Sequence, residues 1–116
     1  MQSITIILNE LPYKNDKAWN ALRLAGSLLE QDVKVKIFLL EDGVDAGREN
    51  QATHGKECNL ETLTKELLAK DVPFIACSTC IASCGISKEK MIDGIVPGFM
   101  RDLAKWVRKS DKVLTF

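Results

Sequence analysis

The sequence predicts an α/β fold with three layers, α/β/α, built on a mainly parallel sheet of five strands. Three observations lead there. Short, β-branched apolar runs alternate along the chain with segments whose apolar residues recur at helical spacing. Most connections between them are only a few residues long, the pattern of parallel strand–helix–strand units whose helices cover both faces of one sheet. A chain of 116 residues, 46% hydrophobic, suits one domain over residues 1–116 and buries roughly two-thirds of its unfolded surface without help from a metal or disulfide.

Each element has its own justification. Residues 3–8 (SITIIL) are short and β-branched, as a buried strand should be. Asn15 or Asp16 caps a helix running to about Leu29, because Ala18, Ala21, Leu22, Ala25, Leu28 and Leu29 share one face. Residues 33–40 form the second strand, alternating at Lys34 and Lys36 and then wholly apolar, so one end is half-exposed. Residues 41–58 are polar and contain three glycines; they read as a long irregular segment with room for one helical turn. Asn59 caps the next helix, with Leu60, Leu63, Leu67 and Leu68 as its buried stripe. Residues 72–76 are the third strand, with Pro73 near its start where a missing donor is tolerated. A cysteine-bearing loop follows, then a short helix from Ser87 to about Ile92 and a short strand near Ile95 and Val96. A helix from about Phe99 to Arg108 and a fifth strand over residues 112–116 close the chain.

Charge excludes several classes of partner. Sixteen basic residues balance sixteen acidic ones with no basic block, which gives no electrostatic support for nucleic acid or an anionic membrane. The longest apolar runs are far too short to span a bilayer. The start, MQSITIILNE, lacks the charged and small-residue features of a signal peptide, so a cytoplasmic location is expected. In such a reducing compartment a cysteine cluster points to metal binding, catalysis or packing before it points to a structural disulfide. The first strand–helix turn, NELPYKND, has no glycine, which argues against a nucleotide cofactor.

In an open parallel sheet, ligands bind outside the carboxyl ends of the strands. The third such end carries ACSTCIASCGIS, which places Cys77, Cys80 and Cys84 within eight residues. Cys77 ends a strand, and Cys84 lies ahead of the short helix capped by Ser87, whose dipole would favour a thiolate along with Lys88 and Lys90. Glu10, Glu41 and Asp42 share the rim and push the other way. A zinc or iron reading uses Cys77, Cys80 and Cys84, completed by Cys58 or His54, although a second C-x2-C pair is absent. A thioredoxin-like dithiol is a third use of C-x2-C, but residues 78–85 read as a small-residue loop and not as the helix start such motifs occupy. Packing as small buried residues is the fourth. Neither a metal nor another cofactor is assigned.

The blocks ITIILNELPYKNDKAWNALRLA, VKVKIFLLEDGV, VPFIACSTCIASCGI and LAKWVRKSDKVLTF, in that order, resemble the DsrE/DsrF-like family of small sulfur-handling proteins over essentially the whole chain. The resemblance implies a parallel α/β/α sheet, homo-oligomers that are trimers or hexamers, and a sulfur relay between donor and acceptor proteins. In that role a cysteine after the third strand holds sulfane sulfur as a persulfide, in the manner of a sulfurtransferase-type carrier. Counted back from the glycine of CGI, it falls on Cys77. Cys80 matches a second cysteine found in many members, and Cys84 stands where relatives commonly have Arg. Cys77 is therefore expected as acceptor, with Cys80 and Cys84 as modulators able to resolve a persulfide by thiol–disulfide exchange. A cysteine-rich metal-binding module and a non-catalytic interaction subunit are the alternatives.

Overall fold

The first strand, β1 (Ser3–Leu8), is buried from Ile4 to Leu8, as a strand must be when neighbours pair with both of its edges. The computed structural model describes every residue of the chain except His54, Lys56 and Cys58. After β1 come α1 (Lys17–Glu30), β2 (Lys34–Leu39), a 3-10 turn (Glu41–Gly47), α2 (Leu60–Ala69), β3 (Phe74–Cys77), α3 (Ser78–Ser83), a second 3-10 turn (Lys88–Lys90), β4 (Val96–Gly98), α4 (Met100–Lys109) and β5 (Lys112–Thr115). The five strands form one sheet in the order β4-β3-β2-β1-β5, flanked by helices, and every pairing is parallel.

The core follows from that order. Leu8, Leu39 and Ala76, each fully buried near the end of its own strand, bring three strand ends to one rim. Helix α1 buries Ala18, Ala21, Leu22 and Ala25, and its alanines allow close approach to the sheet. Asn59 caps α2 as expected, its side chain accepting the Thr62 N–H at 3.0 Å. Leu60 and Leu67 of that helix are buried, and Leu63 and Leu68 pack partly against the core. On α4, Trp106 meets Phe38 edge-on at 6.1 Å, and the Lys36 ammonium lies 5.6 Å from the centre of the indole. Trp106 is thus largely covered, whereas Phe99 is half-exposed.

The departures from expectation cluster after β3. That strand ends one residue later than predicted, on Cys77 itself, and residues 78–83 are helical where a loop was expected. Ile81, 2% exposed, anchors this turn in the core. Gly85, with φ +69°, ends it in the left-handed cap, the Gly85 N–H bonding to the Ala82 carbonyl and the Ile86 N–H to that of Ile81. The helix expected from Ser87 is only the 3-10 turn at Lys88–Lys90, and the fourth strand begins at Val96. Short runs of small residues carry little propensity signal, so burial of Ile81 and the glycine cap decided the outcome.

Candidate functional site

The three thiols stand at successive places on one short helix. Cys77 is the residue before α3, and its Sγ accepts the Cys80 backbone N–H at 3.4 Å. This is a cap made by sulfur in place of the usual oxygen. Cys80 is on the first turn, and Cys84 is the residue that closes the helix. The helix dipole consequently acts on the Cys77 end, while Cys84 sits at the negative end. The expectation that a helix starting at Ser87 would activate Cys84 is corrected, because only a 3-10 turn follows Ser87 and the α-helix beside these thiols starts at Ser78. The ground on which a thioredoxin-like dithiol was set aside is also removed.

Exposure falls steeply along the same helix. Cys84 is exposed, Cys80 is half-buried and Cys77 is 7% exposed, packed with the core. Cys77 lies opposite Gly98 of β4, where any side chain would collide with Ile75. The rim position predicted for Cys77 is correct, but its side chain is buried with the core, the first turn of α3 against its sulfur, and does not stand open.

A second loop reaches these sulfurs. Glu41, separated from β2 by one residue, adopts a left-handed backbone with φ +52°. In that conformation its N–H donates to Cys80 Sγ at 3.2 Å, and its carbonyl oxygen accepts from the Cys84 thiol at 4.0 Å. The turn that carries Glu41 is fixed in turn by Gly43, which lies tight against the Leu8 carbonyl at the end of β1. Sequence reasoning found Glu41 only as a charge. Its role through backbone atoms has no signature in side-chain chemistry, and a glutamate gives no warning of a positive φ.

Electrostatics resolve the sign that opposing rim charges left open. Burial pushes the Cys80 thiol up to about 11, reinforced by the hydrogen-bonded Cys77 thiol and opposed by the Glu41 N–H. Cys84 is also raised, by burial of its sulfur and then by the carboxylates of Asp42 and Asp45, with Arg48 opposing. Arg48 is itself committed to Asp45 at 2.7 Å. Glu10, expected on this rim, is paired instead with Lys17 at 3.0 Å, which holds its carboxyl below the usual range. Of the two lysines expected here, Lys90 helps to wall an open cleft of about 540 Å3, together with Arg48, Asn50 and Gly85, the residue after Cys84.

Among the described residues, no three Cys, His, Asp or Glu side chains converge as a metal site requires. His54 and Cys58, the ligands considered for completing such a site, lie outside the described residues. Also among the described residues, no helix is long and apolar enough to cross a membrane.

Comparison with known proteins supplies the context for this geometry. The model of the DsrE/DsrF-like family matches residues 2–116. Protein YchN of Escherichia coli K12 is 40% identical over 118 residues, covering all of both chains. The protein MK0008 of Methanopyrus kandleri is 37% identical over 113 residues, covering 97% of this chain and 93% of its own. The crystal structure of the Escherichia coli ychN protein superposes with a TM-score of 0.92 over the whole of both chains. MTH1491 of Methanobacterium thermoautotrophicum, 15% identical, shares the fold at a TM-score of 0.75, again over the whole of both chains. From its first strand to its last, the chain belongs to the DsrE/DsrF-like family.

Proposed function

We propose that the protein carries sulfane sulfur as a persulfide on Cys77 and passes it to a partner protein. One observation carries the reading: the family's cysteine position coincides with a sulfur that already accepts a backbone hydrogen bond, from the Cys80 N–H. A persulfide is a stronger acid than its parent thiol and needs donors of this kind to hold its anion. Ser78 and Thr79, on the same turn, add hydroxyls and backbone N–H groups within the first turn of α3. Burial of Cys77 protects the inner sulfur and leaves an added outer sulfur as the group a partner would meet.

The partners we propose are sulfur donor and acceptor proteins and further copies of the chain, in a cytoplasmic setting where the thiols stay reduced. Val96, Phe99 and Met100 are 56%, 50% and 60% exposed and flank Gly98, the residue paired with Cys77. An apolar surface beside the sulfur suits a docking protein.

The burial of Cys77 favours one competing reading, a non-catalytic interaction subunit in which the cysteines only pack. Mass spectrometry after exposure to a sulfane-sulfur donor separates the two. The carrier reading expects one added sulfur, removable by reductant, on the peptide containing Cys77 and none in C77S. No uptake by the wild-type chain supports packing, and uptake unchanged in C77S refutes Cys77 as the acceptor.

A further inference from the structure

We propose that Cys80 is an internal discharge thiol: it attacks Sγ of the Cys77 persulfide and releases the outer sulfur as hydrosulfide. The inference rests on the carrier reading above and gives that site a second outcome besides transfer to a partner. In the step, a bond forms between the sulfurs of Cys80 and Cys77, and the bond between Cys77 Sγ and the outer sulfur breaks. The electron pair of the broken bond leaves with the outer sulfur, and the Cys80 proton passes to the departing hydrosulfide or to water. The sulfane sulfur is reduced to sulfide while two thiols become one disulfide, so no outside oxidant is required. A dithiol reductant, small-molecule or protein, restores the resting state.

Two features of the structure favour Cys80 for this step, and a third restrains it in the resting state. The first is proximity. Cys77 Sγ already touches the Cys80 backbone nitrogen at 3.4 Å, so a change of the Cys80 rotamer brings the two sulfurs together. Three residues of helical rise separate their Cα atoms by roughly 5 Å, inside the range of about 4.4–6.8 Å that a disulfide tolerates. Cys84 is seven residues on, a rise of about 10 Å, and cannot bridge to Cys77 unless α3 unwinds.

The second is burial. With Cys77 only 7% exposed, a thiol arriving from solvent meets the outer sulfur, and attack there transfers the cargo. Attack on the inner sulfur needs a nucleophile already inside, and half-buried Cys80 is that nucleophile. Hydrosulfide is a weaker base than an alkyl thiolate, so it is the better leaving group once the inner sulfur is struck.

The third is the Glu41 peptide, which in the resting state holds Cys80 Sγ at 3.2 Å from its N–H. Discharge exchanges that one sulfur hydrogen bond for a covalent bond. Cys80 also remains protonated at neutral pH, which keeps the reaction slow and the cargo in place until a partner arrives.

The full-length protein is loaded with inorganic polysulfide, freed of donor, and followed for hydrosulfide release, with disulfide mapping by mass spectrometry. Wild-type protein is expected to release one equivalent of hydrosulfide and to gain a disulfide between Cys77 and Cys80. C80S and C80A, which keep the backbone N–H facing Cys77, are expected to release hydrosulfide at least about tenfold more slowly per persulfide loaded, since an effective intramolecular nucleophile has been removed. Release at the wild-type rate from either variant, or a disulfide mapped to Cys84, overturns the inference while leaving the carrier reading intact. No loading of the wild-type chain removes both. If neither variant folds, the disulfide mapped in the wild-type protein decides alone.

Discussion

Replacing Gly43 by alanine tests whether the Glu41 turn is held in place by contact with β1. The glycine belongs to the 3-10 turn that carries Glu41, and it is buried against the strand end. A Cβ added there would stand 2.0 Å from the Leu8 carbonyl oxygen and 2.6 Å from its carbon, both backbone atoms in the most buried strand of the sheet. Real Cβ atoms stay at least 3.0 Å away, so the turn has to withdraw by about 1 Å. Withdrawal breaks close packing around Val44, which is fully buried, and stretches the 3.2 Å contact between Glu41 and Cys80. Overpacking of this kind costs about 2–3 kcal/mol, or roughly 10 °C in Tm for a chain of this size. Gly26 supplies the control, because it lies inside α1 and an added Cβ meets nothing within 4 Å. There the same substitution removes the helical penalty of glycine and should stabilise the fold by about 0.5–1 kcal/mol. Urea denaturation of the two variants should therefore shift the midpoint in opposite directions with the slope unchanged. A G43A protein within about 0.5 kcal/mol of wild type would show that the turn is not braced by Leu8 and refute the reasoning.

Other predictions concern the thiols and the surface. In the folded protein, alkylation should reach exposed Cys84 before half-buried Cys80 and buried Cys77; equal rates at all three would contradict the exposure gradient. The Cys80 rate should climb about tenfold per pH unit towards its pKa of about 11, because only the thiolate reacts; a plateau near pH 9 would refute the raised value. Folding stability follows the same group. The unfolded thiol ionises first, so the contribution is whole below pH 9.0 and is lost as pH rises through about 11. Sedimentation at micromolar concentration should show the trimer or hexamer that the family resemblance implies, with exposed Val96, Phe99 and Met100 as apolar residues for it to cover; a monomer alone would refute self-assembly through this face.

What the sequence determined by itself was local. The β-branched apolar run of β1, the alternation at the start of β2, the one-sided stripe of α1 and the Asn59 cap depend on residues a few positions apart, and all of them appear in the structure where the pattern puts them. The placement of Cys77 at a strand end was legible for the same reason, since the strand and its successor loop are neighbours in the chain. Residues 78–83 show the edge of that legibility, because five small residues and the single large apolar Ile81 carry no periodicity strong enough to separate helix from loop. Only the tertiary structure decided the strand order, which places β1 inside the sheet and leaves β4 beside the thiols as an edge. It alone buried Cys77 in the core and brought the Glu41 peptide, 39 residues from Cys80, onto two of the three sulfurs. Such contacts join segments distant in sequence, and their strength lies in backbone hydrogen bonds and close packing that any of several side chains would have permitted. A residue's own chemistry is written where it stands in the chain, whereas its burial and the sign of its pKa shift depend on what the fold sets against it.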